Sequence, residues 1–89
     1  MLFALICKDK PNSLEIRLAN REKHLAYGAE ATVVFGGPML DDEGNMCGSL
    51  LVIEAEDKAA AEAFAENDPY AKAGLFESVE ITAWKKVMG

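Results

Sequence analysis

The sequence is poor in the residues that mark many metal, redox and secreted proteins. It has one histidine, one tryptophan and two cysteines in 89 residues. Cys7 and Cys47 lie far apart with no C-x-x-C spacing, and read as idle reduced thiols of a cytoplasmic protein. One histidine and two scattered thiols do not make a zinc set, so no metal is expected. No G-x-x-x-x-G-K phosphate loop is present, and no cofactor is expected. Basic residues are scarce, nine against fifteen acidic, for a net charge of −6. That argues against a nucleic-acid surface, which needs concentrated Lys and Arg. No apolar run approaches the ~20 residues of a membrane span. The opening MLFALIC is too short for a signal sequence, lacks a basic start and runs straight into patterned sequence.

What remains is a globular composition, 51% hydrophobic and 27% charged. Residues 1–89 read as one domain near the small end of what folds unaided. Leu2 to Cys7 is an apolar run suited to a strand buried on both faces. Lys10-Pro11-Asn12-Ser13 is a loop. Asn12 or Ser13 caps a helix from Leu14 to Tyr27, Asn12 and Glu15 having capping-box spacing, and Gly28 stops it. Ala31 to Phe35 is a second strand, broken by Gly36-Gly37-Pro38. Asp41 to Asn45 turns the chain into a third strand, Ser49 to Glu54. Asp57 caps a second helix, Lys58 to Glu66, with Ala60, Ala63, Phe64 and Asn67 facing inward. Asp68-Pro69 ends it and starts a short turn that Gly74 stops. Phe76 to Val87 is the last strand.

The order β–α–β–β–α–β with right-handed crossovers gives an α+β, ferredoxin-like fold. A four-stranded antiparallel sheet carries both helices on one face. Strands one and three are apolar on both faces, and nothing in the chain is left to cover the second face. Each exposed Leu or Ile there forgoes ~1.5–3 kcal/mol of burial. A second copy stacked sheet to sheet removes that loss, so a homodimer resembling a barrel is expected.

His24, the lone histidine, lies on the first helix. On a wheel at ~100° per residue, Leu14, Leu18 and Leu25 make an apolar stripe. Arg21, Gly28, Arg17 and His24 lie on its flank. Two guanidinium groups beside an imidazole disfavour its cation and suit an anionic guest. The same residues also fit a solvated helix edge.

Several segments together resemble one family. They are Lys8-Asp9-Lys10 at the end of strand one, Arg17 with Arg21-Glu22-Lys23-His24-Leu25, and the Gly37-Pro38-Met39 turn. Gly48-Ser49, Asn67-Asp68-Pro69-Tyr70 with Ala73-Gly74-Leu75, and Trp84-Lys85-Lys86-Val87 complete the set. Across nearly its whole length the chain resembles the YciI-like (YCII-related) family of the dimeric α+β barrel superfamily. The resemblance implies an active site centred on a His and an Asp, here His24 and Asp68. It implies kinship to muconolactone isomerases and to a dehydrochlorinase of chlorinated hydroquinones. Most members have no established reaction.

The chemistry of such a pair stands by itself. Histidine is the side chain whose ordinary pKa suits a general base at neutral pH. A carboxylate on its other nitrogen fixes the tautomer. Arg17 or Arg21 can hold a substrate carboxylate or enolate oxygen. Gly37, Ser49 and Tyr70 are candidate pocket residues. Each has a plainer reading: Asp68 as a helix cap, Gly36-Gly37-Pro38 as a strand end, Ser49 as a strand residue and Tyr70 as core. Cys7 reads as a packed thiol. Two functions fit: an acid–base isomerase or lyase acting on a small anionic or cyclic molecule, and a non-catalytic small-ligand-binding or accessory dimer using the same pocket.

Overall fold

The first strand, β1 (Leu2–Asp9), is the inner strand on which the sheet is assembled. In the computed structural model, which describes residues Met1–Gly89, it pairs antiparallel with β3 (Met46–Glu54) on one side. On its other side it pairs antiparallel with β4 (Phe76–Trp84). β2 (Val33–Leu40) pairs antiparallel with β3, giving the order β2-β3-β1-β4. Helix α1 (Leu14–Glu30) joins β1 to β2. Helices α2 (Lys58–Glu66) and α3 (Pro69–Lys72) join β3 to β4. This is the ferredoxin-like βαββαβ arrangement expected from the sequence.

Alternation along β1 sorts the sheet into two faces. Phe3, Leu5 and Cys7 point to the helices and are buried, with Leu51 and Ile53 of β3 beside them. Ala61 and Ala65 of α2 close this core, and Phe64 packs at its edge. The inward face of α2 is therefore Ala61, Phe64 and Ala65, whereas Ala60, Ala63 and Asn67 are exposed. Alanine suits either side of such a helix, so composition did not reveal its rotation. Leu2, Ala4 and Ile6 point the other way. On that face Phe35 and Trp84 meet edge to face at 6.0 Å. Val52, paired with both Phe35 and Ala4, is buried although no helix covers it.

Several further expectations are corrected. Helix α1 passes through Gly28 to Glu30, and Gly28 has no positive φ. Its leucine stripe is not buried: Leu14, Leu18 and Leu25 are 40%, 54% and 51% exposed, with Leu25 at the cavity, while Arg17 is 2% exposed. A cavity and a buried ion pair occupy the space beneath α1, so its polar flank turns inward. β2 runs on through Gly36-Gly37-Pro38 to Leu40. It is an edge strand, where a residue without an N–H is tolerated. At the start of α1, Ser13 is the cap residue, but its hydroxyl donates back to the Pro11 carbonyl at 3.3 Å and caps nothing. The strand ends shift too, β3 starting at Met46 and β4 ending at Trp84. The caps at Asp57 and Asp68 are present, accepting from the N–H groups of Ala60 and Tyr70 at 2.8 and 2.9 Å.

Gly48 is a place in β3 that has no room for a side chain. A Cβ there would lie 2.5 Å from the Cys7 carbonyl oxygen and 2.5 Å from Met39 Cε. Gly37, one strand away, would meet nothing within 4 Å. Gly48→Ala should therefore cost about 1–3 kcal/mol in urea unfolding, as overpacking does. Gly37→Ala should stay within about 0.5 kcal/mol. Equal midpoints for the two variants would contradict this account of the sheet.

Candidate active site

The polar flank of α1 carries the site. Residues 17, 21, 24 and 28 recur at helical spacing, so their side-chain positions share one face. That face looks onto a cavity of about 180 Å³ between α1, the β2–β3 side of the sheet and α3. Arg17, Arg21, His24, Gly37, Ser49 and Tyr70 all line it, and Asp68 sits behind His24. The lining has no carboxylate, in a chain whose acids outnumber its bases.

Arg17 is held at one edge. Its Nε and Nη2 donate to Asp9 Oδ2 and Oδ1 at 2.7 and 2.8 Å, and Nη2 also donates to Ser49 Oγ at 2.9 Å. Both side chains of the ion pair are nearly fully buried. Burial pushes the guanidinium pKa down, but the hydrogen bonds and charge of Asp9 outweigh it, and the net shift is upward. Arg17 thus stays charged, with its charge largely answered by Asp9. Arg21 has no carboxylate partner and is the cation left for a guest.

Tyr70 locks the next layer. Its ring stacks on His24 with centroids 4.0 Å apart and planes 14° apart. The Arg17 guanidinium lies 4.7 Å from the same ring centroid. Arg17 and His24 are two helical turns, about 10 Å, apart along α1. The Tyr70 ring therefore fills the gap between them, with a cation on one face and an imidazole on the other. Burial raises the Tyr70 pKa; Arg17 and Arg21 pull it partway back, and Asp68 pushes it up again. The phenol stays protonated at neutral pH and can donate.

His24 meets Asp68 through one nitrogen. Nδ1 lies 2.9 Å from Oδ1 and 3.0 Å from Oδ2. A carboxylate only accepts, so Nδ1 carries a proton, and in the neutral imidazole it is Nε2 that holds the lone pair. Asp68 Oδ1 also accepts from the Tyr70 N–H, so one carboxylate is both helix cap and histidine partner. The Pro69 ring at the start of α3 helps preset that turn.

Two groups missed by the sequence reading stand out. Asp9 appeared only as a strand end. The signal for it would have been Arg17 turned inward, since a buried guanidinium needs an acid. Tyr27, whose hydroxyl donates to the Phe64 carbonyl at 2.8 Å, forms with Phe64 the apolar end of the cavity. Cys7 lies beneath the site. Burial, then the charges of Asp68 and Asp9, partly offset by Arg17, push its thiol up to about 12. It is no nucleophile at neutral pH.

Removing one partner of a buried ion pair strands the other. Asp9→Ala should cost about 3–5 kcal/mol in chemical unfolding, because Arg17 stays charged and buried. A loss under about 1 kcal/mol would mean that Arg17 swings out to solvent, and that Asp9 does not hold the site.

A sequence model of the YCII-related domain matches residues 1–85. The YciI protein of Escherichia coli is 37% identical over 98% of this chain and 99% of its own. An uncharacterized protein of Haemophilus influenzae is likewise 37% identical at the same coverage. Among solved structures, 5-chloro-2-hydroxyhydroquinone dehydrochlorinase from Burkholderia phenoliruptrix, in complex with 2,5-dihydroxybenzoquinone, is 41% identical. It matches with a TM-score of 0.88 over 96% of this chain and 94% of that one. An antibiotic biosynthesis monooxygenase shares the fold alone, at 12% identity and a TM-score of 0.60 over 99% of this chain and 100% of that one. With its fold and nearly its full length matched, the chain belongs to the YCII-related domain family.

Proposed function

We propose that this protein is a small-molecule enzyme of isomerase or lyase type. In this reading His24 Nε2 moves a proton on a small, cyclic, anionic substrate. One observation carries it: the Asp68 bond to Nδ1 leaves a proton-accepting Nε2 on a residue that lines a carboxylate-free cavity. Asp68 orients the imidazole and stabilises the imidazolium formed when Nε2 accepts a proton. Arg21 and the free edge of Arg17 hold the substrate anion, and Tyr70 donates to an oxygen on the ring. The relative that acts on a chlorinated hydroxyhydroquinone suggests the first substrates to try, halogenated hydroxyhydroquinones. Loss of HCl needs a base for the proton and a path for chloride. Here His24 moves a proton from a ring hydroxyl to the chlorine-bearing carbon, making it tetrahedral. The C–Cl bond then breaks as a second hydroxyl loses its proton, chloride leaves past Arg21, and a hydroxybenzoquinone remains.

The test is turnover of 5-chloro-2-hydroxyhydroquinone, followed by quinone absorbance and chloride release, and of a panel of lactones. His24→Ala should cut turnover per folded molecule by about 100-fold or more, and should cost about 1–3 kcal/mol of stability because the buried Asp68 carboxylate keeps only the Tyr70 N–H. Asp68→Asn keeps a capping oxygen, so α3 and the melting temperature should hold. The His24 ring nitrogens should then show mixed tautomers by ¹⁵N NMR, and turnover should fall. Unchanged turnover per folded molecule in His24→Ala would end the acid–base reading. Ligand binding without turnover would leave a binding or accessory dimer.

We also propose that the protein works as a homodimer, its uncovered sheet face stacked on a second copy. Leu50, Phe35 and Trp84 are exposed there in a single chain. Sedimentation equilibrium at micromolar concentration should give twice the 9.6 kDa chain mass. Trp84→Asp should shift the mass towards one chain. A wild-type monomer would refute the stacking.

A further inference from the structure

We infer that Gly28 is a specificity-determining residue. Its missing side chain leaves room at one end of the cavity for the apolar part of a flat anionic ligand. This rests on the proposed reading of the cavity as a small-molecule site.

Glycine is among the poorest helix formers, yet Gly28 lies inside the last turns of α1. Nothing in the fold asks for it. Its φ is not positive, so no left-handed turn requires it. A Cβ built there would meet only Val33 Cγ2, at an ordinary 3.9 Å. Gly36 and Gly48 differ, for a Cβ at either would collide with Leu51 or with the Cys7 carbonyl. Those two are required by packing, and Gly28 is not.

Its position says what the absence does. Gly28 is one turn beyond His24 on the inward face of α1, and both line the cavity. A side chain at 28 would project from the same face as His24. Arg17 lies at the other end, about 16 Å away along the helix axis. The cavity is thus polar at its Arg17 and Ser49 end, and apolar at the Gly28, Val33 and Phe64 end. A guest whose anionic oxygens sit by Arg17 and Arg21 extends its apolar end past His24 towards Gly28. Any side chain at 28 shortens that space.

The test compares a one-ring and a two-ring ligand, 2,5-dihydroxybenzoquinone and 2-hydroxy-1,4-naphthoquinone, by calorimetry on the full-length protein. Gly28→Leu should lose about tenfold or more in affinity for the two-ring compound, and under about threefold for the one-ring compound. Gly28→Ala should fall between, with a melting temperature at or above wild type. Unchanged affinity for the two-ring compound in Gly28→Leu would overturn the inference. So would a melting temperature in Gly28→Ala well below wild type, since the fold itself would then need glycine. If neither quinone binds the wild type, the proposed substrate class fails on its own. The wall is then read with 8-anilinonaphthalene-1-sulfonate, an aromatic anion, on the ring resonances of His24. Shifts in the wild type that vanish in Gly28→Leu support the role of Gly28. Equal shifts in both proteins, or none in either, overturn it.

Discussion

One guanidinium ties helix α1 to the sheet. Arg17 reaches Asp9 at the end of β1 and Ser49 on β3, and its ring contact with Tyr70 brings in α3. The leucines of α1 are about half exposed, so the apolar burial that fastens most helices to sheets contributes little here. Polar bonds in a nearly dry environment take that role. They demand strict geometry, because a buried charge is tolerable only when its partners are in place. The direction of Arg17 therefore sets the rotation of α1 about its axis. That rotation turns Arg21, His24 and Gly28 towards the cavity.

The same economy of parts appears around Tyr70. The Asp68-Pro69 turn ends α2, starts α3 and aims the Tyr70 ring between two residues of α1. The carboxylate that caps α3 also fixes the histidine tautomer. One side chain both caps a helix and holds the histidine, so the cap reading of Asp68 and its pairing with His24 are not rivals. The Tyr70 stack restrains the imidazole plane, and the Asp68 bond restrains its rotation. What is left without a partner in the chain is Nε2, on a residue that lines the cavity.

The sheet makes the opposite contribution, through what it omits. β2 is an edge strand, so it can carry Gly36-Gly37-Pro38 without breaking. The near-absence of side chains there keeps the cavity wall low beside Ser49 and Leu51. On the far face, Ala4 leaves space beneath the Phe35–Trp84 pair, and the apolar surface continues across the sheet. One face of the sheet builds the cavity, and the other leaves Leu50, Phe35 and Trp84 exposed.

The order and type of the elements were legible in the sequence, because alternation, proline and capping residues act over a few neighbours. The family pattern carried His24 and Asp68 together, and the helix wheel put Arg17, Arg21 and His24 on one flank. Three things were decided only by tertiary structure. The inward face of α1 is polar, since Asp9 and Ser49 lie across from it and apolar periodicity cannot see them. Gly28 is a cavity wall and not a helix stop, because a stop depends on φ and on the contacts the next residues make in space. β2 survives its glycines and proline because it is an edge, and an edge exists only once four strands have been ordered. Local rules set the pieces of this chain; a buried charge that had to find its partner set how they face one another.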